Sequence, residues 1–237
     1  MKIALIGYGK MGHIVEEQAL KRGHEISVII DKDNQQDFDS AVFANADVAI
    51  EFSTNDTAVS NIRAAWQHHV PVVCGTTGWT EHTGDNGEKM LHVLQAEARE
   101  NGLFWTSNYS IGMNLFMALN RHLAELMRPQ TEYSVTIEET HHIHKKDAPS
   151  GTAVTLAQDI EKVLNAGHDT ESHVEITSKR EGEVPGIHTV CYDSAADCIR
   201  ITHEAKSREG FALGAVLAAE FMQGKRGFYN MQDLLPF

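Results

Sequence analysis

Short apolar runs alternate with longer stretches of helical periodicity along the first half of the chain. Lys2 to Ile6 is an apolar run typical of a buried strand, and a helical pattern follows from His13 to Arg22. That pattern stops at Gly23, a residue type that commonly ends helices, and Ile26 to Ile30 forms the next apolar run. The order of these segments predicts strand, turn, helix and strand, which is the beginning of a parallel α/β sheet.

The same alternation continues through the next eighty or so residues. The expected elements are a strand from Asp47 to Phe52, a helix from Asp56 to His69, a strand from Pro71 to Cys74, a helix from Glu88 to Glu100 and a strand from Leu103 to Thr106. Repeated βα units with short connections predict a Rossmann-like, doubly wound parallel sheet with right-handed crossovers. The connection from Asp31 to Asp47 is short, and we expect it to contain no helix.

Strands outnumber helices in the second half of the chain. After a helix from Ile111 to Met127, the expected strands are Tyr133 to Thr140, His173 to Thr177, Ile187 to Tyr192 and Ile199 to His203, with a helix from Thr152 to Leu164. This pattern predicts an α+β domain with a mixed, largely antiparallel sheet at residues 111–208. The final helix, Ala212 to Phe221, is similar to the helices of the first half, so we assign residues 1–110 and 209–237 to one dinucleotide-binding domain.

A glycine-rich turn directly follows the first strand. Gly7-Tyr8-Gly9-Lys10-Met11-Gly12 has the GxGxxG spacing of dinucleotide-binding proteins, and Asp31 ends the second strand about 20 residues later. The glycines let the backbone approach a pyrophosphate, while Asp31 can accept hydrogen bonds from an adenine-ribose diol. Lys32 favours the 2′-phosphate of NADP, so the sequence predicts NADH, NADPH or both. The alternative for Asp31 is a solvated loop carboxylate.

Two polar loops follow later strands of the predicted sheet. They are Gly75-Thr76-Thr77-Gly78 and Thr106-Ser107-Asn108-Tyr109. Ligands of open parallel sheets bind at the carboxyl ends of the strands, where both loops begin. We therefore expect both to contact the cofactor, with ordinary polar βα loops as the alternative.

The segment from Glu138 to Ala153, EETHHIHKKDAPSGTA, concentrates basic groups in an otherwise acidic chain. His141, His142 and His144 precede two lysines, and Ser150-Gly151-Thr152 opens a predicted helix. Ammonium groups, imidazoles and the N–H groups of a helix start all favour negative charge, so the segment predicts a small, doubly anionic substrate. A metal site is the alternative, but HHxH lacks a carboxylate or cysteine ligand at a fixed offset, and we expect no metal.

Charge and composition exclude several classes of partner. The formal net charge of −13 argues against nucleic acids and anionic membrane surfaces, which bind to basic faces. The N-terminal segment lacks the features of a secretory signal and no apolar run has the length of a membrane span, so we expect a cytoplasmic protein. Three widely spaced cysteines indicate neither a disulfide framework nor a zinc site.

Several motifs together resemble the dihydrodipicolinate reductase family of bacterial diaminopimelate and lysine biosynthesis. They are ETHHIHKKDAPSGTA, the GxGxMG turn, GTTG, SNYSIGMN and SREGFALGA, and the resemblance covers essentially the whole chain. It implies a Rossmann domain, a substrate and tetramerisation domain, and hydride transfer from NADH or NADPH to C4 of a cyclic unsaturated imine dicarboxylate. It also implies a homotetramer.

The resemblance further implies roles for individual residues. His141 matches the family's proton donor and Lys145 matches a lysine that binds substrate carboxylate and assists proton transfer. His142, Ser150, Gly151 and Thr152 match substrate-binding positions. The implied cofactor contacts are Gly7 to Gly12, Asp31, Gly75 to Thr77 and Thr106 to Tyr109. Two positions depart from the common pattern: Glu51-Phe52-Ser53 replaces Asp-Phe-Thr, and Tyr109 replaces Phe.

Two other functions remain open at this stage. A related NAD(P)-dependent imine or amino-acid dehydrogenase would share the glycine turn but would not need a pocket for two carboxylates. A nucleotide sensor would keep the Rossmann half without catalysis, and the presence of both His141 and Lys145 argues against it.

Overall fold

Two sheets, each with its own helices, organise the chain. The computed structural model describes residues 1–84, 86–166 and 172–235. The chain divides into two compact units, one formed by residues 1–111 and 208–237 and the other by residues 112–207.

The first unit contains a six-stranded parallel sheet. Its strands are β1 (Lys2–Ile6), β2 (Glu25–Ile30), β3 (Val48–Glu51), β4 (Val72–Cys74), β5 (Leu103–Trp105) and β10 (Phe228–Tyr229). They lie in the order β10-β5-β4-β3-β1-β2, and every neighbouring pair is parallel. The order reverses direction at β1, which is the doubly wound arrangement that the alternation of segments predicts.

Helices cover both faces of this sheet because its strands are apolar on both sides. The helices of the first unit are α1 (Lys10–Lys21), α2 (Ala41–Ala44), α3 (Ala58–Gln67), α4 (Met90–Asn101), α7 (Glu209–Met222) and α8 (Met231–Leu234). Ile3 and Leu5 pack with α1 and α7, whereas Ala4 and Ile6 pack with α3 and α4 on the other face. The alternation along β1 thus divides the interior into two apolar layers.

The prediction of no helix between Asp31 and Asp47 is wrong. A 3₁₀ segment (Gln35–Asp39) and the one-turn helix α2 occupy this connection. The Ser40 hydroxyl caps α2 by accepting a hydrogen bond from the Phe43 backbone N–H, and the Phe43 side chain is fully buried. Burial of the Phe43 ring holds this turn in place. A single turn is nevertheless too short to produce helical periodicity in the sequence. The two-residue strand β10 escaped prediction for the same reason.

Gly214 in α7 allows that helix to lie directly against the chain at Tyr109. A Cβ atom at Gly214 would come within 1.8 Å of the Tyr109 carbonyl oxygen, so the helix would have to move. We expect Gly214→Ala to lower the free energy of unfolding by about 1–3 kcal/mol, measured by urea denaturation. Gly210 lies in the same helix, and a Cβ there would meet nothing closer than 3.9 Å. Gly210→Ala is therefore the control, and equal effects of the two substitutions would contradict the prediction.

The second unit contains a mixed sheet of four strands. They are β6 (Ser134–His141), β7 (Glu175–Arg180), β8 (Ile187–Asp193) and β9 (Cys198–Glu204), in the order β7-β6-β8-β9. β6 pairs with β7 in parallel, and the other two pairs are antiparallel. The predicted mixed, largely antiparallel sheet is confirmed.

One face of this second sheet packs on two helices. Ile137 and Val190 from the sheet join apolar side chains of α5 (Ile111–Met127) and α6 (Gly151–Leu164) in a third core. Glu139 lies two residues after Ile137, and His188 lies two residues before Val190, so both share the covered face. The polar side chains of Glu139 and His188 therefore lie at the end of an apolar layer. Across the described ranges, none of the helices combines the length and apolarity needed to cross a bilayer.

Candidate functional site

The glycine turn after β1 forms part of the wall of a cavity of about 570 Å³ at the carboxyl end of the first sheet. Its lining includes Gly7, Tyr8, Gly9, Asp31, Lys32, Gln35, Phe52, Ser53, Thr54, Thr57, Ser60 and Asn61. A second cavity of about 480 Å³ is lined by Gly9, Lys10 and Met11 and by the loop Gly75 to Gly78. The glycine turn and the loop Gly75 to Gly78 thus border open space at the sheet edge.

The three glycines of the turn differ in what a side chain at each position would contact. Gly7 has a φ of 87°, and a Cβ there would lie 2.2 Å from the Phe52 carbonyl oxygen. A Cβ at Gly12 would lie 2.6 Å from the Gly7 carbonyl oxygen. Gly9, in contrast, has no atom within 4 Å of a Cβ position, so protein packing does not require glycine there. The free space beside Gly9, at the start of α1, fits the close approach of a pyrophosphate.

Asp31 and Lys32 lie at the end of β2 and are both exposed. The Asp31 carboxylate accepts a hydrogen bond of 2.9 Å from the Lys32 backbone N–H, and the Gln35 side chain donates to the Asp31 carbonyl oxygen. These local bonds fix the backbone and leave the second carboxylate oxygen for a ribose diol.

The loops after β4 and β5 differ in how much of each side chain a cofactor could reach. Thr77 is exposed, whereas Thr76 is buried and its hydroxyl accepts a hydrogen bond of 2.9 Å from the Ser53 backbone N–H. Tyr109 is only 3% exposed, and its hydroxyl donates to the Cys74 carbonyl oxygen at 2.7 Å. A cofactor contact by Tyr109 would therefore use its backbone.

His141 is the last residue of β6, and its ring lies among buried polar groups. The imidazole Nδ1 forms a short hydrogen bond with the Glu139 carboxylate, whose other oxygen accepts a bond of 3.0 Å from the Arg180 guanidinium. His188 packs edge-on against His141 with ring centroids 5.1 Å apart. Because Glu139 lies opposite His188 in the β6–β8 register, the sheet itself assembles this group.

Burial controls the protonation of both histidines. Burial lowers the pKa of His141, and the positive charges of Lys145 and Arg180 lower it further, against the raising effect of Glu139. Burial likewise lowers the pKa of His188 to about 4. His188 is therefore neutral near pH 7, which limits the positive charge around His141.

The loop that follows β6 brings Lys145 close to this group. Its ammonium group is bonded to the Asp147 carboxylate at 2.8 Å, and this bond lowers the pKa of Asp147. Arg180 donates to the backbone carbonyl of Asp147 at 2.5 Å. Any anionic ligand of Lys145 would therefore compete with the Asp147 carboxylate for its ammonium group.

Ser150 caps α6, and its side chain faces inward. It is 2% exposed, its hydroxyl accepts a hydrogen bond from the Ala153 backbone N–H, and it lies 3.2 Å from His188 Nε2. The backbone N–H groups of Gly151 and Thr152 have no partner within the helix, as at any helix start. A carboxylate at this position would therefore bind to the backbone rather than to the Ser150 hydroxyl.

The remaining two histidines of the basic segment differ from His141 in burial and in contacts. His142 is half-buried, and its Nδ1 has no hydrogen-bond partner among the described residues. His144 is exposed and contacts the Glu183 carboxylate at 3.2 Å. The described residues that could hold a metal are Glu139, His141 and His188, or Cys191, Asp193 and Cys198, so the HHxH spacing does not define either set.

Sequence reasoning missed Glu139, Arg180 and His188. Glu139 was detectable in principle, since residues two apart on a strand share a face. Arg180 and His188 lie on neighbouring strands, and only the register places them beside His141.

The buried His188 makes stability depend on pH. In the unfolded chain histidine binds its proton near pH 6.5, but folded His188 does so only near pH 4, so acid favours the unfolded state. We expect this group to remove up to about 3 kcal/mol of stability as the pH falls through that interval. Urea denaturation at pH 7 and pH 5 should show a smaller loss for His188→Gln than for the unsubstituted protein. The exposed His144→Gln is the control, and an unchanged pH dependence in His188→Gln would refute this origin.

The chain is similar to known proteins over nearly its whole length. Residues 1–109 match the family model described as "Dihydrodipicolinate reductase, N-terminus", and residues 112–235 match "Dihydrodipicolinate reductase, C-terminus". The 4-hydroxy-tetrahydrodipicolinate reductase of Christiangramia forsetii is 45% identical over 99% of this chain and 98% of its own length. That of Lawsonia intracellularis is 32% identical over 99% of both.

A solved structure has the same fold. The dipicolinate-bound dihydrodipicolinate reductase from Paenisporosarcina sp. TG-14 matches with a TM-score of 0.79 and 21% identity, covering 99% of each chain. The likeness confirms the predicted combination of a Rossmann-like sheet with a second, mixed sheet.

Proposed function

The chain belongs to the dihydrodipicolinate reductase family, and we propose that it uses NADH or NADPH to reduce (hydroxy-)dihydrodipicolinate to tetrahydrodipicolinate. This reaction lies in diaminopimelate and lysine biosynthesis. His141 is the proton donor and Lys145 binds substrate carboxylate. The observation that carries these roles is the grouping of His141, Lys145 and the start of α6 within one segment of the second unit.

The first unit fits the cofactor. The turn Gly7-Tyr8-Gly9-Lys10-Met11-Gly12 offers open space at Gly9 and the N-terminus of α1 for the pyrophosphate. Asp31 and Lys32, which line one cavity, would bind the adenine ribose, and the loop Gly75 to Thr77, which lines the other, would contact the remainder. The family resemblance adds the loop Thr106 to Tyr109 to these contacts. A nicotinamide cofactor held by these residues would supply the hydride for C4 of the substrate ring.

His141 supplies the matching proton. The hydroxylated form first loses water to give the conjugated ring. Hydride addition to that ring increases electron density across the imine and gives an enamine, which must be protonated to yield tetrahydrodipicolinate. With Nδ1 bonded to Glu139, the proton to be donated is the one on Nε2. An imidazolium that loses this proton returns to its neutral form and is recharged from water.

The two carboxylates orient the ring. Lys145 binds one as a point charge, and the N–H groups of Gly151 and Thr152 bind the other with the help of the helix dipole. His142 belongs to the same segment, and its Nδ1 has no hydrogen-bond partner among the described residues, while Ser150 holds the helix start in place. Fixing the ring at both ends lowers the entropic part of the barrier.

The assembly and location are proposals that rest on the family resemblance. We propose a homotetramer in the cytoplasm, in which the second unit provides the contacts between subunits. Light scattering on the purified protein would measure its mass directly.

A coupled assay tests the function. The preceding synthase generates the substrate in place, and oxidation of NADH and of NADPH is followed separately at the nicotinamide absorbance band. Oxidation that depends on the synthase product would establish the reductase and rank the two cofactors. No oxidation with either, given measured cofactor binding, would instead favour a related imine or amino-acid dehydrogenase or a nucleotide sensor.

A further inference from the structure

We propose that the ion pair between the buried Glu139 carboxylate and the half-buried Arg180 guanidinium positions His141 and stabilises its imidazolium form as the proton donor. This inference rests on the proposed role of His141. Glu139 and Arg180 act through His141, so they are positioning residues.

Glu139 contacts His141 directly from within the protein interior. Its side chain is 0% exposed, and it lies two residues before His141 on the same face of β6. One carboxylate oxygen contacts His141 Nδ1 and the other accepts from Arg180, so both are occupied. Because an ionised carboxylate can only accept hydrogen bonds, Nδ1 must carry a hydrogen, and Nε2 is left as the reacting atom.

The space around Nε2 agrees with this assignment. A Cβ at Gly186 would come within 3.1 Å of Nε2, so glycine keeps this side of the ring clear. The ring therefore has one edge held by a carboxylate and the other unobstructed by a side chain at position 186.

Arg180 stabilises the buried Glu139 carboxylate and connects it to the loop that carries Lys145. An isolated buried carboxylate would take up a proton, but hydrogen bonds from Ser178, His141 and Arg180 outweigh burial and keep the pKa of Glu139 below its ordinary value. The same guanidinium donates to the backbone carbonyls of Asp147 and Lys145. One side chain thus connects the proton donor with the loop that carries Lys145.

Among the described residues, four titratable side chains influence the protonation of His141. Glu139 on β6 stabilises the imidazolium, whereas Arg180 on β7 and Lys145 in the loop oppose it. His188 on β8 is neutral near pH 7. Glu139 is therefore the one group in this set that favours the protonated form, and its loss should make His141 more acidic.

The test compares two neighbouring glutamates. Glu139→Gln removes the buried charge with little change in shape, while Glu138→Gln removes an exposed carboxylate that pairs with Lys179 on the same two strands. The pH dependence of kcat is measured for both in the coupled assay, and the pKa of His141 is measured by NMR titration of the free enzyme.

For Glu139→Gln we expect the alkaline limb of the kcat profile and the pKa of His141 to move down by about one pH unit. Turnover on that limb should then fall about tenfold and recover in part at lower pH. Glu139→Asp, which keeps the charge, should restore part of the shift, and Glu138→Gln should leave both measurements unchanged.

An unmoved profile and an unmoved pKa in Glu139→Gln would overturn the inference, even if stability falls. The NMR titration does not depend on turnover, so it separates this result from a failure of the proposed function. If the pKa moves but His141→Ala retains full turnover, the donor role is wrong, and with it the inferred catalytic purpose of the pair.

Discussion

Replacing His141 with alanine is expected to lower kcat by about 10²- to 10⁴-fold while KM changes little. In the proposed mechanism the proton is needed in the transition state and not for binding, because the substrate carboxylates would bind to Lys145 and the start of α6. The buried Glu139 would remain paired with Arg180. Steady-state kinetics in the coupled assay, at saturating NADH or NADPH, measures both parameters.

His144→Ala is the matched control for this experiment. His144 lies three residues away, is exposed, and contacts only Glu183 among the interactions seen for its ring nitrogens. Its removal should leave kcat and KM near their original values. Unchanged turnover in His141→Ala would remove His141 from the mechanism, whereas equal losses in both variants would indicate damage to the loop.

Replacing Lys145 with alanine should harm both kinetic parameters. A charge-assisted bond to a carboxylate contributes about 1.5–3 kcal/mol, so kcat/KM should fall about 10- to 100-fold. KM rises because one carboxylate loses its cation, and kcat falls because the ring is held less firmly against the reacting groups. The Asp147 carboxylate, now without its partner, adds repulsion at the same position.

Lys146→Ala provides the comparison, since it removes an exposed cation from the adjacent position without touching the Lys145–Asp147 pair. If substrate binding depended only on the local positive charge of the loop, the two variants would have similar KM values. A specific role for Lys145 requires a much larger change at Lys145 than at Lys146.

Much of the cofactor half follows from local sequence. The strand, glycine turn and helix at residues 2–21 were predictable because each element produces a periodic pattern within a few residues. The same applies to the largely antiparallel second sheet. Features shorter than one period, such as α2 and β10, left no pattern to detect.

The sequence was less informative about which way polar side chains face. Tyr109 and Ser150 belong to motifs that suggest direct ligand contacts, yet both hydroxyls are buried and bonded within the protein. Motif spacing specifies where a residue lies along the chain, while its orientation depends on the layer packed above it.

By itself, the sequence determined the two-sheet organisation, the glycine turn and the concentration of cations and imidazoles between residues 138 and 153. Only the tertiary structure decided which groups surround His141. Glu139, Arg180 and His188 come from three strands, with Arg180 lying 41 residues after Glu139, and they meet through strand register. The hydrophobic pattern of each strand fixes which side chains face the core, but which residues of neighbouring strands lie opposite one another is set by pairing and packing across the whole sheet.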